Sequence, residues 1–240
     1  MGNETIFFVT VLANFGGILL AYRLWGKTGL FCWVALASVI ANIEVVKTVS
    51  LFGLVATLGN VIYGTTFLAT DILSENHGRQ DARTAVGIGF FSLVVFTVLM
   101  RLTLLFRPDA SDFASPALET IFTLLPRLAV ASLLAYLVSQ FHDVEAYHFW
   151  WRRFPGVRFL WLRNNGSTLV SQALDTLIFV GVAFWGVFPP EELGQIFLST
   201  YLIKALVALC DTPFIYLARR WRDTGKVATE VEGDPSYAPS

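Results

Sequence analysis

Gly59-Asn60-Val61-Ile62-Tyr63-Gly64-Thr65-Thr66-Phe67-Leu68-Ala69-Thr70-Asp71-Ile72-Leu73-Ser74-Glu75-Asn76-His77-Gly78 is apolar enough to lie in a bilayer, yet it carries Asn, Thr and two carboxylates. On a helix, positions i, i+4, i+7 and i+11 share one face. Asn60, Gly64, Phe67 and Asp71 have that spacing, and Glu75 continues it one turn further. A face with an amide, a backbone gap, an aromatic ring and a carboxylate suits a polar, flat solute. Anchoring in lipid alone does not require it.

The rest of the chain agrees with a membrane setting. It has 240 residues, is 55% hydrophobic and only 15% charged, with a mean hydropathy of +0.61. Soluble domains carry roughly 25% charged residues. The apolar residues fall in runs near the ~20 residues that span a bilayer. Seven such runs can be marked, at 5–25, 29–49, 53–72, 85–106, 117–140, 167–188 and 194–218. In lipid each backbone N–H and C=O must be satisfied within its own segment, so the runs are read as helices. The expected fold is an all-α polytopic transmembrane helix bundle of seven spans, with six as the alternative count. Residues 1–222 form one transmembrane domain and 223–240, rich in Gly, Pro, Ser and acids, form a disordered cytoplasmic tail. The first run follows acidic Glu4 with no basic stretch before it, so it is read as a span and not as a signal peptide.

Loop charge sets the expected orientation. Arg23 and Lys27 follow the first span, His77, Arg79 and Arg83 the third, Arg152, Arg153, Arg158 and Arg163 the fifth, and Arg219, Arg220, Arg222 and Lys226 the seventh. The intervening connections carry Asp109, Asp112, Glu191 and Glu192. Basic loops stay in the cytoplasm, which places the N-terminus outside and the C-terminus inside. Arg101 and Arg107 run against this pattern and are read as snorkelling. The stretch 141–166, with Phe149-Trp150-Trp151 beside Arg152-Arg153, is read as a loop containing a short amphipathic segment on the inner leaflet.

Ionisable residues inside spans usually face a bundle interior or a water-filled cavity. Glu44 and Lys47 are one turn apart, the spacing of an ion pair; with Glu75 they are the candidates for proton coupling or a packing pair. Asp71 and Glu75 lie near the cytoplasmic end of their span, where capping the helix in headgroup water is the structural alternative. Thr168, Ser171 or Gln172, and Asp175 share a face of the sixth span, with Asp175 in its middle. Lys204 and Asp211 share a face of the seventh, just before Pro213, which removes a backbone donor. The substrate-binding candidates are Asn60, Tyr63, Phe67, Asp71, Gln172, Asp175, Lys204 and Asp211.

Several chemistries are excluded. Cys32 and Cys210 lie in apolar runs without ligand spacing and read as buried thiols. His142 and His148 have no matching partners, so no metal site is expected. No phosphate-cradling glycine loop and no Ser/His/Asp set is present, so neither a nucleotide cofactor nor an enzyme is expected.

These same residues carry a resemblance. Ala41-Asn42-Ile43-Glu44-Val45-Val46-Lys47-Thr48-Val49, Leu51-Phe52-Gly53, Gly59-Asn60 through Glu75, Arg163-Asn164-Asn165-Gly166-Ser167-Thr168, Ser171-Gln172-Ala173-Leu174-Asp175-Thr176, Lys204 and Asp211-Thr212-Pro213 resemble the queuosine precursor transporter family, of the vitamin uptake transporter type. The resemblance spans nearly all of 40–220. It implies import of 7-deazaguanines, such as 7-cyano- or 7-aminomethyl-7-deazaguanine, for queuosine in tRNA, across a bacterial cytoplasmic (inner) membrane. The partners it implies are this small molecule and the lipid bilayer, with a homodimer as one arrangement and no direct contact with nucleic acid. The alternative is a substrate-binding subunit that depends on a separate ATPase module. Related vitamin-binding subunits usually have six spans, against seven in this chain. A carboxylate such as Asp175 or Asp71 can accept from the N1–H and amine of a guanine-like edge, Gln172 and Asn60 can read its carbonyl, and Phe67 or Tyr63 can stack on it.

Overall fold

The computed structural model describes residues 2–122, 126–186 and 189–228. In chain order the elements are α1 (Asn3–Glu44), β1 (Thr48–Leu51), β2 (Leu54–Thr57), α2 (Asn60–Asn76), α3 (Arg79–Thr103), α4 (Ser115–Phe122), α5 (Pro126–Arg153), a 3-10 turn (Val157–Phe159), α6 (Leu160–Phe184) and α7 (Pro190–Asp223).

α1 is two arms. Residues 17 and 33 of one unbroken helix would lie about 24 Å apart, yet a Cβ on Gly17 would stand 2.6 Å from the Trp33 ring. Likewise a Cβ on Gly29 would stand 2.2 Å from the Ala21 carbonyl oxygen. The chain doubles back at Gly26, whose φ of 56° and ψ of −139° suit a residue without Cβ. The arms 3–25 and 27–44 therefore correspond to the first two apolar runs. From there the chain runs up and down through α2, α3, α5, α6 and α7. One end of the bundle carries the β-hairpin, bound to the first arm by Asn3 Nδ2 donating to the Ser50 carbonyl at 3.0 Å. The other end carries the Gly26 turn, where the Ala228 N–H donates to the Arg23 carbonyl at 3.0 Å. The tail expected to be disordered lies, from 229 onward, outside the described residues.

The helix ends follow ordinary chemistry. α7 starts on Pro190 with Glu191 and Glu192 in its first turn and ends with Arg220 and Arg222, each charge opposing the helix dipole. It passes through Pro213 without ending. Asp112 caps α4, accepting from the backbone N–H groups of Ala114 and Ser115.

Polarity is inverted relative to a soluble protein. Phe91, Leu99, Leu177 and Leu209 are more than half exposed on the outside, while Asp71, Asp143, Arg163 and Asn164 are fully buried. Among the described residues four helical segments, α1, α3, the 3-10 turn with α6, and α7, are long and apolar enough to cross a membrane. This is an all-α, multi-pass membrane bundle.

Four expectations are corrected. Residues 48–57 are not helical: β1 and β2 pair antiparallel with Leu51 opposite Leu54, and Phe52 and Gly53 between them have φ of 52° and 77°, as a two-residue hairpin turn of type I′ requires. The β-branched Thr48, Val49, Val55 and Thr57 favour that choice. The stretch 141–153 is not a loop on the membrane surface but the second half of α5, which ends only before Phe154-Pro155-Gly156. Its His142, Glu145 and Tyr147 side chains find partners on neighbouring helices, so an apolar run is too strict a criterion. Glu44 and Lys47 make no side-chain ion pair; the chain leaves the helix after Glu44, so helical spacing no longer applies, and Lys47 N–H instead donates to the Glu44 carbonyl at 3.0 Å. Cys32 is exposed on the bundle's outer surface and Cys210 is half-buried, because that outer surface is apolar and needs no protein cover.

Candidate functional site

α2 lies at the centre, with nearly every residue from Asn60 to Asn76 buried. Small contacts allow this. A Cβ on Gly64 would meet Val207 Cγ1 of α7 at 2.7 Å, so only glycine lets the two helices approach this closely. Trp33 of α1 donates to Thr65 Oγ1 at 2.7 Å and Gln140 of α5 to Thr66 Oγ1 at 2.5 Å. Around α2, the polar side chains of α5, α6 and α7 fall into three tiers.

The first tier floors a cavity of about 800 Å³ at the hairpin end. Asp175 Oδ1 accepts from Tyr63 Oη at 2.6 Å and from Ser139 Oγ at 3.0 Å, while Oδ2 pairs with Lys204 Nζ. Lys204 also sits over the Tyr63 ring, 5.1 Å from its centroid. Asn60, Asn42 and Ser38 line the same cavity, as do Tyr136 and, from α7, Gln195 and Ser199. The charges of Asp175 and Lys204 cancel. Together they present an acceptor and a donor side by side in a largely apolar chamber, the pattern of a small-molecule site.

Roughly 12 Å further along α2, at 1.5 Å per residue, comes the second tier. Thr168 Oγ1 donates to Asp71 Oδ2 at 3.2 Å, and Asn164 Nδ2 donates to Asp211 Oδ1 at 2.5 Å. Asp143 of α5 faces Asp71. No ion pair reaches these three carboxylates among the described residues, although each is at most 1% exposed.

The third tier closes the Gly26 end. Glu75 Oε2 accepts from Tyr147 Oη and from Arg163 Nη2, both at 2.7 Å, and Oε1 accepts from Arg219 Nη1 at 3.3 Å. Arg163 Nη1 also donates to the Phe154 and Gly156 carbonyls at 2.7 and 2.9 Å. Arg163 is thus a fully buried cation tied to the carboxylate and to the α5–α6 connection.

The expected site residues divide between tiers. Asn60, Tyr63, Asp175 and Lys204 line the cavity. Phe67 stays below it, edge-on to Tyr63 with ring centroids 5.6 Å apart. Asp71 and Asp211 belong to the second tier. Gln172 is buried, with its Oε1 unpartnered, and does not line the cavity. Glu75 is committed to the third tier, and Glu44 and Lys47 stand outside all three. The contribution of α5 was missed: Ser139, Gln140, Asp143 and Tyr147 are all fully buried. A signal for it exists, because Tyr136, Gln140, Asp143 and Tyr147 repeat the i, i+4, i+7, i+11 spacing of Asn60, Gly64, Phe67 and Asp71.

Comparison with known proteins gives these tiers a context. Residues 57–218 match the model of a family described as "Putative vitamin uptake transporter". The chain is 51% identical to the "Probable queuosine precursor transporter" of Bacillus subtilis over 220 residues, covering 92% of this chain and 96% of the relative. It is 28% identical to the "Queuosine precursor transporter" of Escherichia coli over 70% of this chain and 75% of that one. A relative from Haemophilus influenzae, "Probable queuosine precursor transporter", is 27% identical over 66% of each. No solved structure matches. The matched region begins at the last residue of the hairpin and runs almost to the end of α7, so it contains the carboxylates of all three tiers, and the chain belongs to the queuosine precursor transporter family, a family of vitamin-uptake-type transporters and not of enzymes.

Proposed function

We propose that the protein imports queuosine precursors, 7-deazaguanines such as 7-cyano- or 7-aminomethyl-7-deazaguanine, across a bacterial cytoplasmic membrane. The observation that carries this reading is the cavity floored by Asp175, Lys204 and Tyr63. A lactam edge offers an N–H beside a carbonyl, and Asp175 Oδ2 and Lys204 Nζ offer an acceptor beside a donor. The ring would lie against Tyr63 or Tyr136, with Asn60 at its rim. In this reading Asp71, Gln172, Phe67 and Asp211 act from beneath the cavity and do not touch the solute.

Seven spans are the natural count if both arms of α1 cross, together with α2, α3, α5, α6 and α7. Arg23, Arg79, Arg83, Arg152, Arg153, Arg219 and Arg222 all cluster at the Gly26 end, which supports that end as cytoplasmic. The N-terminus and the cavity would then face outward, and the buried second and third tiers would close the inward path.

The test is queuosine in the tRNA of bacteria that cannot make its precursor, fed limiting external precursor. Cells carrying the intact chain are expected to restore queuosine, and cells with an empty vector or Asp175→Asn are not. Restoration by the variant would remove Asp175 from the site. Failure of the intact chain, once present in the membrane, would favour dependence on an ATPase module or a different solute.

A further inference from the structure

The second tier has a surplus of acceptors that the cavity does not explain. Asp143 has neither carboxylate oxygen partnered, and Asp71 Oδ1 is also unpartnered. Independently of the acids, the Asn164 side chain, 0% exposed, donates its Nδ2 to Asp211 and leaves its Oδ1 without a donor. The Asn164 amide is thus held against the cluster with an acceptor to spare. Buried acceptors are nearly always satisfied, and a buried carboxylate is stable only when paired or neutralised. Among the described residues the tier has no cation and fewer donors than acceptors.

The charged and titratable groups around the tier do not supply it. On α2, Glu75 is engaged by Arg163 of α6 and Arg219 of α7. On α3, Arg79 and Arg83 are engaged by Glu145 of α5. Tyr147 donates to Glu75, and Lys204, above, pairs with Asp175. His142 meets Ser171 Oγ at 2.9 Å, and Ser171 with Ser167 borders the Asp143 carboxyl. His148 is half-buried beside Arg79 and Arg152, stacked on Trp151. Asp211 contributes only a further carboxylate. Among the described residues no three His, Cys, Asp or Glu side chains are placed to hold a metal ion.

We propose that Asp71, Asp143 and Asp211 form a proton-carrying site, separate from the solute cavity, whose loading and release drives the transport cycle. Facing carboxyls share protons and titrate as a unit, and the tier stands between the cavity and the charged lock of Glu75 with Arg163. A proton on this site leaves the tier close to neutral and able to pack. Its loss leaves uncompensated charge, which favours opening towards water. The driving role rests on the importer reading above; the holding of the proton does not.

The experiment uses the full chain reconstituted in lipid vesicles without sodium, with two readouts. Infrared difference spectra across pH are expected to show a carboxylic acid C=O band that weakens in Asp143→Asn and in Asp211→Asn. Two isosteric variants keep the result interpretable if one of them misfolds. Labelled 7-aminomethyl-7-deazaguanine is then followed with and without an acid-outside gradient. With one proton per solute, wild type is expected to accumulate label about tenfold per unit of pH gradient. Asp143→Asn is expected to exchange label but not to concentrate it. Absence of the band, or a band untouched by both substitutions, overturns the proton site. A band with accumulation that follows added sodium and ignores pH overturns the driving role. A band in a protein that exchanges no label supports the proton site and instead overturns the importer reading.

Discussion

The first and second tiers are both buried, both centred on carboxylates and both built from α2, α5, α6 and α7, yet they treat charge in opposite ways. Asp175 is matched by Lys204 and accepts from two hydroxyls, all at the edge of a cavity. Asp71, Asp143 and Asp211 have no cation and lie in closed packing. A balanced pair can open to a solute without changing the local charge, because its members exchange partners. An unbalanced cluster changes charge whenever a proton comes or goes. The contrast separates a surface that recognises from a device that responds, and the third tier, with Glu75 between two arginines, resembles the first in balance and the second in closure.

The largest effect is expected in the third tier. Removing one partner of a buried pair leaves the other charge stranded and costs about 3–5 kcal/mol. Arg163→Ala should therefore lower the unfolding temperature of purified protein more than any single substitution in the other two tiers, because it strands Glu75 and frees the Phe154 and Gly156 carbonyls together. A melting curve close to wild type would mean that this tier is not a lock.

The balance of the first tier is open to a double-mutant cycle. Asp175→Asn and Lys204→Met should each destabilise by roughly 3 kcal/mol, since each strands its partner. The double variant should fall short of their sum by about 1–3 kcal/mol, the usual coupling of contacting residues. Strict additivity would show that Asp175 and Lys204 do not depend on one another.

A smaller effect tests whether α2 is held as closely as both tiers require. In Gly64→Ala the new methyl meets Val207 Cγ1 at 2.7 Å, and overpacking of this kind costs about 1–3 kcal/mol. Melting should shift, and solute binding should weaken as Tyr63 is displaced with its helix. Unchanged melting and affinity would show that α7 yields easily there.

Much of this was legible in the sequence, and what was missed has physical reasons. Apolar length found the helices of α1, α3, α6 and α7 because lipid demands it. The spacing of Asn60, Gly64, Phe67 and Asp71 identified the buried helix, although only its first turn reaches the cavity. Asp175 and Lys204 stood out because mid-span charges need partners, but that they partner each other depends on how α6 and α7 are rotated, which spacing within one helix does not contain. The hairpin at 48–57 was hidden because an apolar run in a membrane protein looks like more helix; the antiparallel pairing and the positive φ of Phe52 and Gly53 distinguish it. Asp143 was missed for the opposite reason: Gln140, His142, Asp143 and Glu145 look like a loop once apolar length is the criterion, while on α5 Gln140 and Asp143 fall on the buried face, and His142 and Glu145 on the partly exposed one.

The smallest expected effect is the most discriminating. Asp143→Asn keeps the size of the side chain, removes one acidic group and adds an N–H that can donate to Asp71. In the first tier the equivalent change, Asp175→Asn, strands a lysine. In the second there is no cation to strand. Melting of Asp143→Asn at neutral pH should therefore match wild type or rise, by about 1 kcal/mol at most. The dependence of melting on pH should flatten, because the variant has one proton fewer to lose as pH rises. Wild type, whose carboxyls must give up shared protons to a state that repels itself, should lose stability over the same range. A loss in Asp143→Asn as large as that of Asp175→Asn would mean that Asp143 is ionised and paired after all, and the two tiers would then be one kind of structure.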